Sequence, residues 1–231
     1  MKCYATLLLS ISLATIFSVG NEAAAGVIAG YSPDLSAAPG VTAGPIDDTG
    51  SEAVIAPYTH DSANSSFTEN YETIGIRVPA SGAATSGPSA VTANSYFQFH
   101  IAADAGLMLD LTSLTFNAYK GGFSGPRGWV LRTSVDNYAA DVASEVVTAN
   151  PFGGGDVVPD AFSVDLTAGQ YQGLAEINFR LYAYAPTANF ILNFTGLELN
   201  GNVVPEPSTA IAMGLLGVVG FAGNRRRRRQ S

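Results

Sequence analysis

The sequence predicts an all-β fold, an antiparallel sandwich of two sheets. From Asn94 onward, apolar residues recur at every second position, the period of a strand with one buried face. The apolar runs are short and are separated by Gly- and Pro-rich stretches that act as turns. Residues 26–204 hold no convincing amphipathic helical pattern. Strands without helices to cover them bury their apolar faces by packing sheet on sheet.

Taken in order, residues 26–90 are rich in Gly, Ala, Ser and Pro and poor in aromatics. Pro33, Pro39, Pro45 and Pro57 punctuate this part, which reads as loops and short edge strands. Its best strand is 71–78, where Ile74, Ile76 and Val78 alternate, and 81–88 reads as a flexible loop. The main strands fill 94–201. Phe97, Phe99 and Ile101 alternate with Gln98 and His100, and Leu107, Leu109 and Leu111 alternate with Met108 and Asp110. Leu114 and Phe116 continue in the opposite phase, which predicts a bulge or kink at Thr112-Ser113. Trp129, Leu131, Thr133 and Val135 follow, then Phe162, Val164 and Leu166. Ile177, Phe179 and Leu181 form the next run, then Phe190, Leu192 and Phe194, and last Leu197 and Leu199. The one soft helix candidate, 139–148, reads equally as a strand and loop.

Both ends of the chain differ from this body. Lys2 precedes a mostly apolar stretch, 5–19, and the small residues Ala23, Ala24 and Ala25 follow, the pattern of a secretory signal peptide cut after Ala25. At the other end come Val204, Pro205, Glu206 and Pro207, then an apolar segment at 208–223, then Arg225, Arg226, Arg227, Arg228 and Arg229. Two prolines one residue apart forbid a helix interior and a central strand, so Pro205 to Pro207 reads as an extended, exposed peptide. The 16 residues of 208–223 fall short of the roughly 20 that span a bilayer, but flanking arginines extend the span by snorkelling. The arginine block acts as a cytoplasmic stop-transfer signal, and with a positive start at Lys2 it places both ends inside and translocates the chain between them.

The order Pro-Glu-Pro, apolar segment, arginine block resembles the PEP-CTERM sorting tail of Gram-negative bacteria. The resemblance implies recognition and processing by an exosortase at the Pro-Glu-Pro motif. It also implies the secretion machinery as a partner, an inner-membrane intermediate held by a single C-terminal transmembrane helix, and delivery to the cell surface or extracellular matrix. The expected divisions are thus a signal peptide at 1–25, a sandwich domain at 26–203 and a sorting signal at 204–231. The segment 109–201 resembles the jelly-roll-type bodies that precede such tails, in L-D-L-T-S-L-T-F, P-R-G-W-V-L-R-T-S-V-D, I-N-F-R-L-Y-A-Y and L-E-L-N-G. Such bodies carry an Asp-Asn pair before the last strand where this chain has Phe194-Thr195-Gly196, so the residues for any role of that pair are missing.

Charge separates body from tail. Residues 26–204 hold five bases (Arg77, Lys120, Arg127, Arg132 and Arg180) against 17 acids, a net charge near −12 where the whole chain has −8. A surface this acidic argues against nucleic acid as a partner. The one cysteine, Cys3, lies in the signal segment, so the mature body has no disulfide or thiol chemistry.

No catalytic constellation stands out. His60 and His100 are the only histidines and cannot build an ordinary zinc site without cysteine. Gly122-Phe123-Ser124-Gly125-Pro126 approaches a nucleophile elbow, but Pro126 stands where the final glycine belongs. Asp104, Asp110, Asp136, Asp141, Asp156, Asp160 and Asp165 are candidates for a glycosidase pair by residue type alone. No cofactor is required; Ca²⁺ held by Asp156 and Asp160 beside the Gly153–Gly155 loop is the one metal the sequence suggests. Tyr182 and Tyr184 fall on the face opposite Phe179 and Leu181, where exposed rings would stack on sugars. The chain thus reads as a non-catalytic surface or matrix protein, in contact with extracellular polysaccharide. A carbohydrate-binding module and a secreted hydrolase with paired carboxylates are the alternatives.

Overall fold

The computed structural model describes residues 25–31, 35–46, 54–57, 74–77, 85–94, 96–121, 125–150, 158–186 and 191–207. Its strands are β1 (Gly26–Tyr31), β2 (Leu35–Ala37), β3 (Val41–Ala43), β4 (Val54–Pro57), β5 (Ile74–Arg77) and β6 (Tyr96–Ala103). They continue as β7 (Leu107–Gly121), β8 (Arg127–Thr133), β9 (Ala143–Val147), β10 (Asp160–Asp165), β11 (Glu176–Tyr184) and β12 (Ile191–Pro205). The one α-helix among the described residues is α1 (Gly87–Thr92).

The strands form two antiparallel sheets. The first runs β10-β7-β12-β1-β2, with β5 added to the start of β12 and β4 added to β5; the second runs β3-β6-β11-β8-β9. Every second residue of the long strands points between the sheets, as the period-2 reading predicts. Leu109, Leu111, Leu114 and Phe116 of β7 meet Phe97, Phe99, Ile101, Trp129, Phe179 and Leu181 from the second sheet, all 2% exposed or less. Aromatic edges and faces lock this layer. Phe116 contacts Trp129, Phe162 and Phe194 at centroid distances of 5.0, 5.5 and 5.6 Å, and Phe99 stacks on Phe179 at 4.9 Å. Pairs of this kind add about 0.5–1.5 kcal/mol each beyond the area they bury.

The phase switch in β7 is a bulge. Asn200 pairs with Ser113 while Gly201 pairs with Leu111, so Thr112 has no opposite residue in β12. The extra residue carries the apolar face from Leu111 to Leu114 without exposing either. A second irregularity lies on β12 itself, between Thr195 and Glu198, where Phe116 of β7 faces two residues of β12, Gly196 and Leu197.

One segment differs from expectation, and a second resolves to one of its two readings. The end of the predicted 81–88 loop enters α1, because Ser86 caps it: the Ser86 hydroxyl accepts from the Ser89 N–H, Ser89 Oγ accepts from the Ser86 N–H, and Pro88 stands in the first turn. The 139–148 segment resolves to the strand β9 rather than a helix, its Val147 inward and buried. Among the described residues no helix is long and apolar enough to cross a membrane.

Candidate functional site

Two places on the sandwich carry more than packing: the outer face of the second sheet, and the C-terminal end of β12. On the outer face, cross-strand pairing sets Tyr96 beside Tyr182, Gln98 beside Arg180 and His100 beside Asn178, while Arg180 also pairs with Arg132 of β8. Two of the body's five bases are thereby neighbours. Arg132 is neutralised by Asp141, its Nε donating at 2.6 Å, and its Nη1 donates to the Tyr138 carbonyl at 2.9 Å. Arg180 has a different setting. Its Nε donates to Gln98 Oε1 at 3.2 Å, and its guanidinium lies 3.7 Å from the Tyr138 ring centroid and 4.5 Å from that of Tyr96.

Tyr138 reaches this position through an uncommon backbone. Asn137 and Tyr138 both adopt the left-handed conformation, with φ of 57° and 60°. Asparagine tolerates that conformation and tyrosine does so poorly, so the stacking ring is held against local strain. Burial raises the Tyr138 phenol above its ordinary pKa, with the Arg180 charge opposing part of that effect. Farther along the same face, His100 and the exposed Glu176 form a 3.2 Å pair. The face therefore presents a cation between aromatic rings, flanked by Gln98, Asn178 and His100.

The expected exposure of Tyr182 and Tyr184 is corrected by α1. The helix lies over β11 and β8, and Tyr182 is 2% exposed in a cluster with Ala90, Tyr96, Val130 and Ala185. Tyr184 is half-buried against the same cluster. Burial raises the pKa of both phenols, helped at Tyr184 by the Glu145 charge and opposed at Tyr182 by Arg180.

The candidate aspartates in described positions each serve a local bond. Asp104 accepts from the Thr42 hydroxyl, Asp110 from the Gly173 N–H, Asp136 from the N–H groups of Ala139 and Ala140, and Asp165 from the Thr167 N–H. Asp160 accepts from the Thr148 N–H and hydroxyl and from the Ala149 N–H. Burial would raise the Asp160 pKa, but these bonds, joined by the Lys120 charge, outweigh it and hold the carboxyl below its ordinary value. No group of three or more His, Cys, Asp or Glu suited to a metal occurs among the described residues. Asp156 lies outside them, as do His60, Ala23, the 208–223 segment and Arg225 to Arg229.

At the C-terminal end of β12, Val203 to Glu206 are part of the fold. Val203, Val204 and Pro205 pair with Leu109, Met108 and Leu107 of β7, and the Glu206 N–H donates to the Gly106 carbonyl at 2.9 Å. Pro205 and Pro207 are exposed, as predicted, while Val204 and Glu206 are half-buried. The extended conformation expected of Pro205 to Pro207 holds at Pro205 but not at Pro207, which is helical; pairing within a sheet was not legible, because Pro205 closes the strand instead of interrupting it.

A family model described as the PEP-CTERM protein-sorting motif matches residues 203–229. The chain carries a PEP-CTERM sorting tail. A search of curated proteins finds no match. Among solved structures, the chain is similar to one described as domains CD (residues 230–489), at 14% identity and a TM-score of 0.31, covering 72% of this chain and 63% of that one. It is similar to a crystal structure with a xylogluco-oligosaccharide at 14% identity and a TM-score of 0.32, covering 72% of this chain and 37% of that one. A third, described as CBM4 structure and function, is 12% identical, with 70% of this chain and 85% of that one covered and a TM-score of 0.31. The chain thus spans less than two thirds of the first two, and at such scores the likeness supports no inference about ligand or activity. The PEP-CTERM tail is the functional statement these comparisons make.

Proposed function

We propose that this chain is a non-catalytic exported protein of the cell surface or extracellular matrix of a Gram-negative-type bacterium. Its jelly-roll-like body is cargo. A signal peptide cut after Ala25 starts export, the 208–223 helix with Arg225 to Arg229 holds an inner-membrane intermediate, and an exosortase processes the chain at Val204 to Pro207. The observation that carries this reading is the sorting motif at 203–229, beginning in the last strand of an acidic two-sheet sandwich. Gly26 begins β1 immediately after the expected signal cut, so cleavage there leaves every residue of that strand in the mature chain. Replacing Pro205, Glu206 and Pro207 by alanine in the full chain should leave uncut, membrane-retained precursor in fractionated cells. Normal processing of that variant would overturn the proposal.

A second reading, binding of extracellular polysaccharide, is favoured by the Arg180 face and not by Tyr182 and Tyr184. A guanidinium stacked on the strained Tyr138 and flanked by Gln98, Asn178 and His100 offers a sugar both a flat ring and polar partners. Glycan-array binding that disappears in Tyr138→Ala would support it. Failure of the wild-type chain to bind any glycan would remove it.

A further inference from the structure

The segment to be processed is already a strand in a sheet. Recognition of an extended peptide rests on its main-chain donors and acceptors. Between Val203 and Pro207 only Val203, Val204 and Glu206 have an N–H, since proline has none. The Glu206 N–H, the one donor between the two prolines, is bonded to the Gly106 carbonyl, and Val203 to Pro205 are paired with Leu109 to Leu107. Gly40 braces this end from a third side. The Asp104 N–H donates to its carbonyl at 2.9 Å, and a Cβ at Gly40 would stand 2.6 Å from a Leu107 methyl and 3.3 Å from a Val203 methyl. Leu107 and Val203, which pair with neighbouring residues across the strands, therefore close together beneath a glycine whose φ of 84° also disfavours any side chain.

We infer that Gly106, Leu107 and Met108 compete with the exosortase for the segment Val203 to Glu206, so that processing proceeds only when the end of β12 leaves β7. This rests on the processing proposed above and adds to it a set of positioning residues outside the tail. The sandwich supplies the same kind of main-chain partners that an enzyme cleft would supply, and the two cannot hold one strand edge at once. Terminal strand pairs open far more readily than a whole domain unfolds, so competition slows processing without preventing it. The rate then follows the open population of the strand end. A folded body holds its strand end closed against β7, and a loosened one yields it faster.

The mature body has no cysteine, so a cross-strand disulfide can be introduced cleanly. In Met108→Cys combined with Val204→Cys, at paired positions, oxidation in the periplasm should leave uncut precursor, and reduction should restore cutting to the rate of Val204→Cys alone, the control for the altered motif residue. Gly40→Ala, which leaves the tail unchanged, should accelerate processing about 5-fold, the effect of roughly 1 kcal/mol on an open–closed equilibrium. Processing is read by mass spectrometry of the full chain in cells that hold the exosortase. An oxidised disulfide variant cut as fast as its reduced form would overturn the competition while leaving exosortase processing intact. A wild-type chain that is never cut would remove both.

Discussion

The guanidinium of Arg180 lies 3.7 Å from the ring centroid of Tyr138, whose own backbone is left-handed at φ 60°. The contact joins β11 to the turn that follows β8, and it sets an energetic gain against a conformational cost in one residue. A partly buried cation–π contact contributes about 0.5–2 kcal/mol, and a non-glycine residue held in the left-handed region costs about 1–3 kcal/mol. Tyr138→Ala loses the ring and keeps the strain, whereas Tyr138→Gly loses the ring and relieves it. Urea denaturation should therefore find the Ala variant less stable than the Gly variant by about 1 kcal/mol. Equal stabilities would show that the backbone at this position carries no strain.

Phe116 touches Trp129, Phe162 and Phe194, bridging both sheets. Phe116→Ala should cost about 3–5 kcal/mol, a large part of the stability of a domain this size. The measurement is the shift in denaturation midpoint, and a loss below about 1 kcal/mol would mean that the core closes over the cavity.

Gly128 is a close approach. A Cβ there would fall well inside contact distance of the Glu145 carbonyl on β9 and the Tyr184 hydroxyl on β11. Tyr184 can swing aside, but the β9 backbone cannot. Gly128→Ala should lower stability by about 1–3 kcal/mol through overpacking. At roughly 2–4 °C per kcal/mol, thermal unfolding should shift down by several degrees.

Asp160 fastens the end of β9 to the start of β10 through Thr148 and Ala149. Its folded pKa is depressed below the reference value of 3.8, so its contribution is complete above that value and is lost as pH falls through the lower folded value. Asp160→Asn should cost about 1 kcal/mol near neutral pH, allowing for solvent screening of a partly exposed carboxylate. It should also remove one component of the acid-side fall in stability. A variant whose stability falls with acid as steeply as the wild type would place the acid sensitivity elsewhere.

The strands were legible where one face alone is buried. Phe97, Phe99 and Ile101, or Ile177, Phe179 and Leu181, alternate cleanly because the pleat sends them into one core. Even the Thr112 bulge was visible, as a change of phase between Leu111 and Leu114. The outer face of the second sheet was not legible, because its coverage comes from a distant segment. Six residues of helix over β11 bury Tyr182, and only the Ser86-Gly87-Pro88-Ser89 cap signals that helix. Arg180 was overlooked for a related reason. It stands at an ordinary outward position, and its aromatic partners come from β6 and from a turn 42 residues upstream. The sorting tail was legible in full as a motif, while its pairing with β7 depends on register, which spacing alone does not reveal.

Trp129 is the one tryptophan of the chain, 1% exposed and set edge-on against Phe116 and Phe162 at the centre of the sandwich. Its fluorescence thus arises from a single apolar site between the two sheets. Emission will move to longer wavelength when water reaches the sandwich interior. Detaching the tail or repacking the Arg180 face should leave it where it is. Intrinsic fluorescence of the unlabelled protein therefore separates loss of the fold from events at its surface.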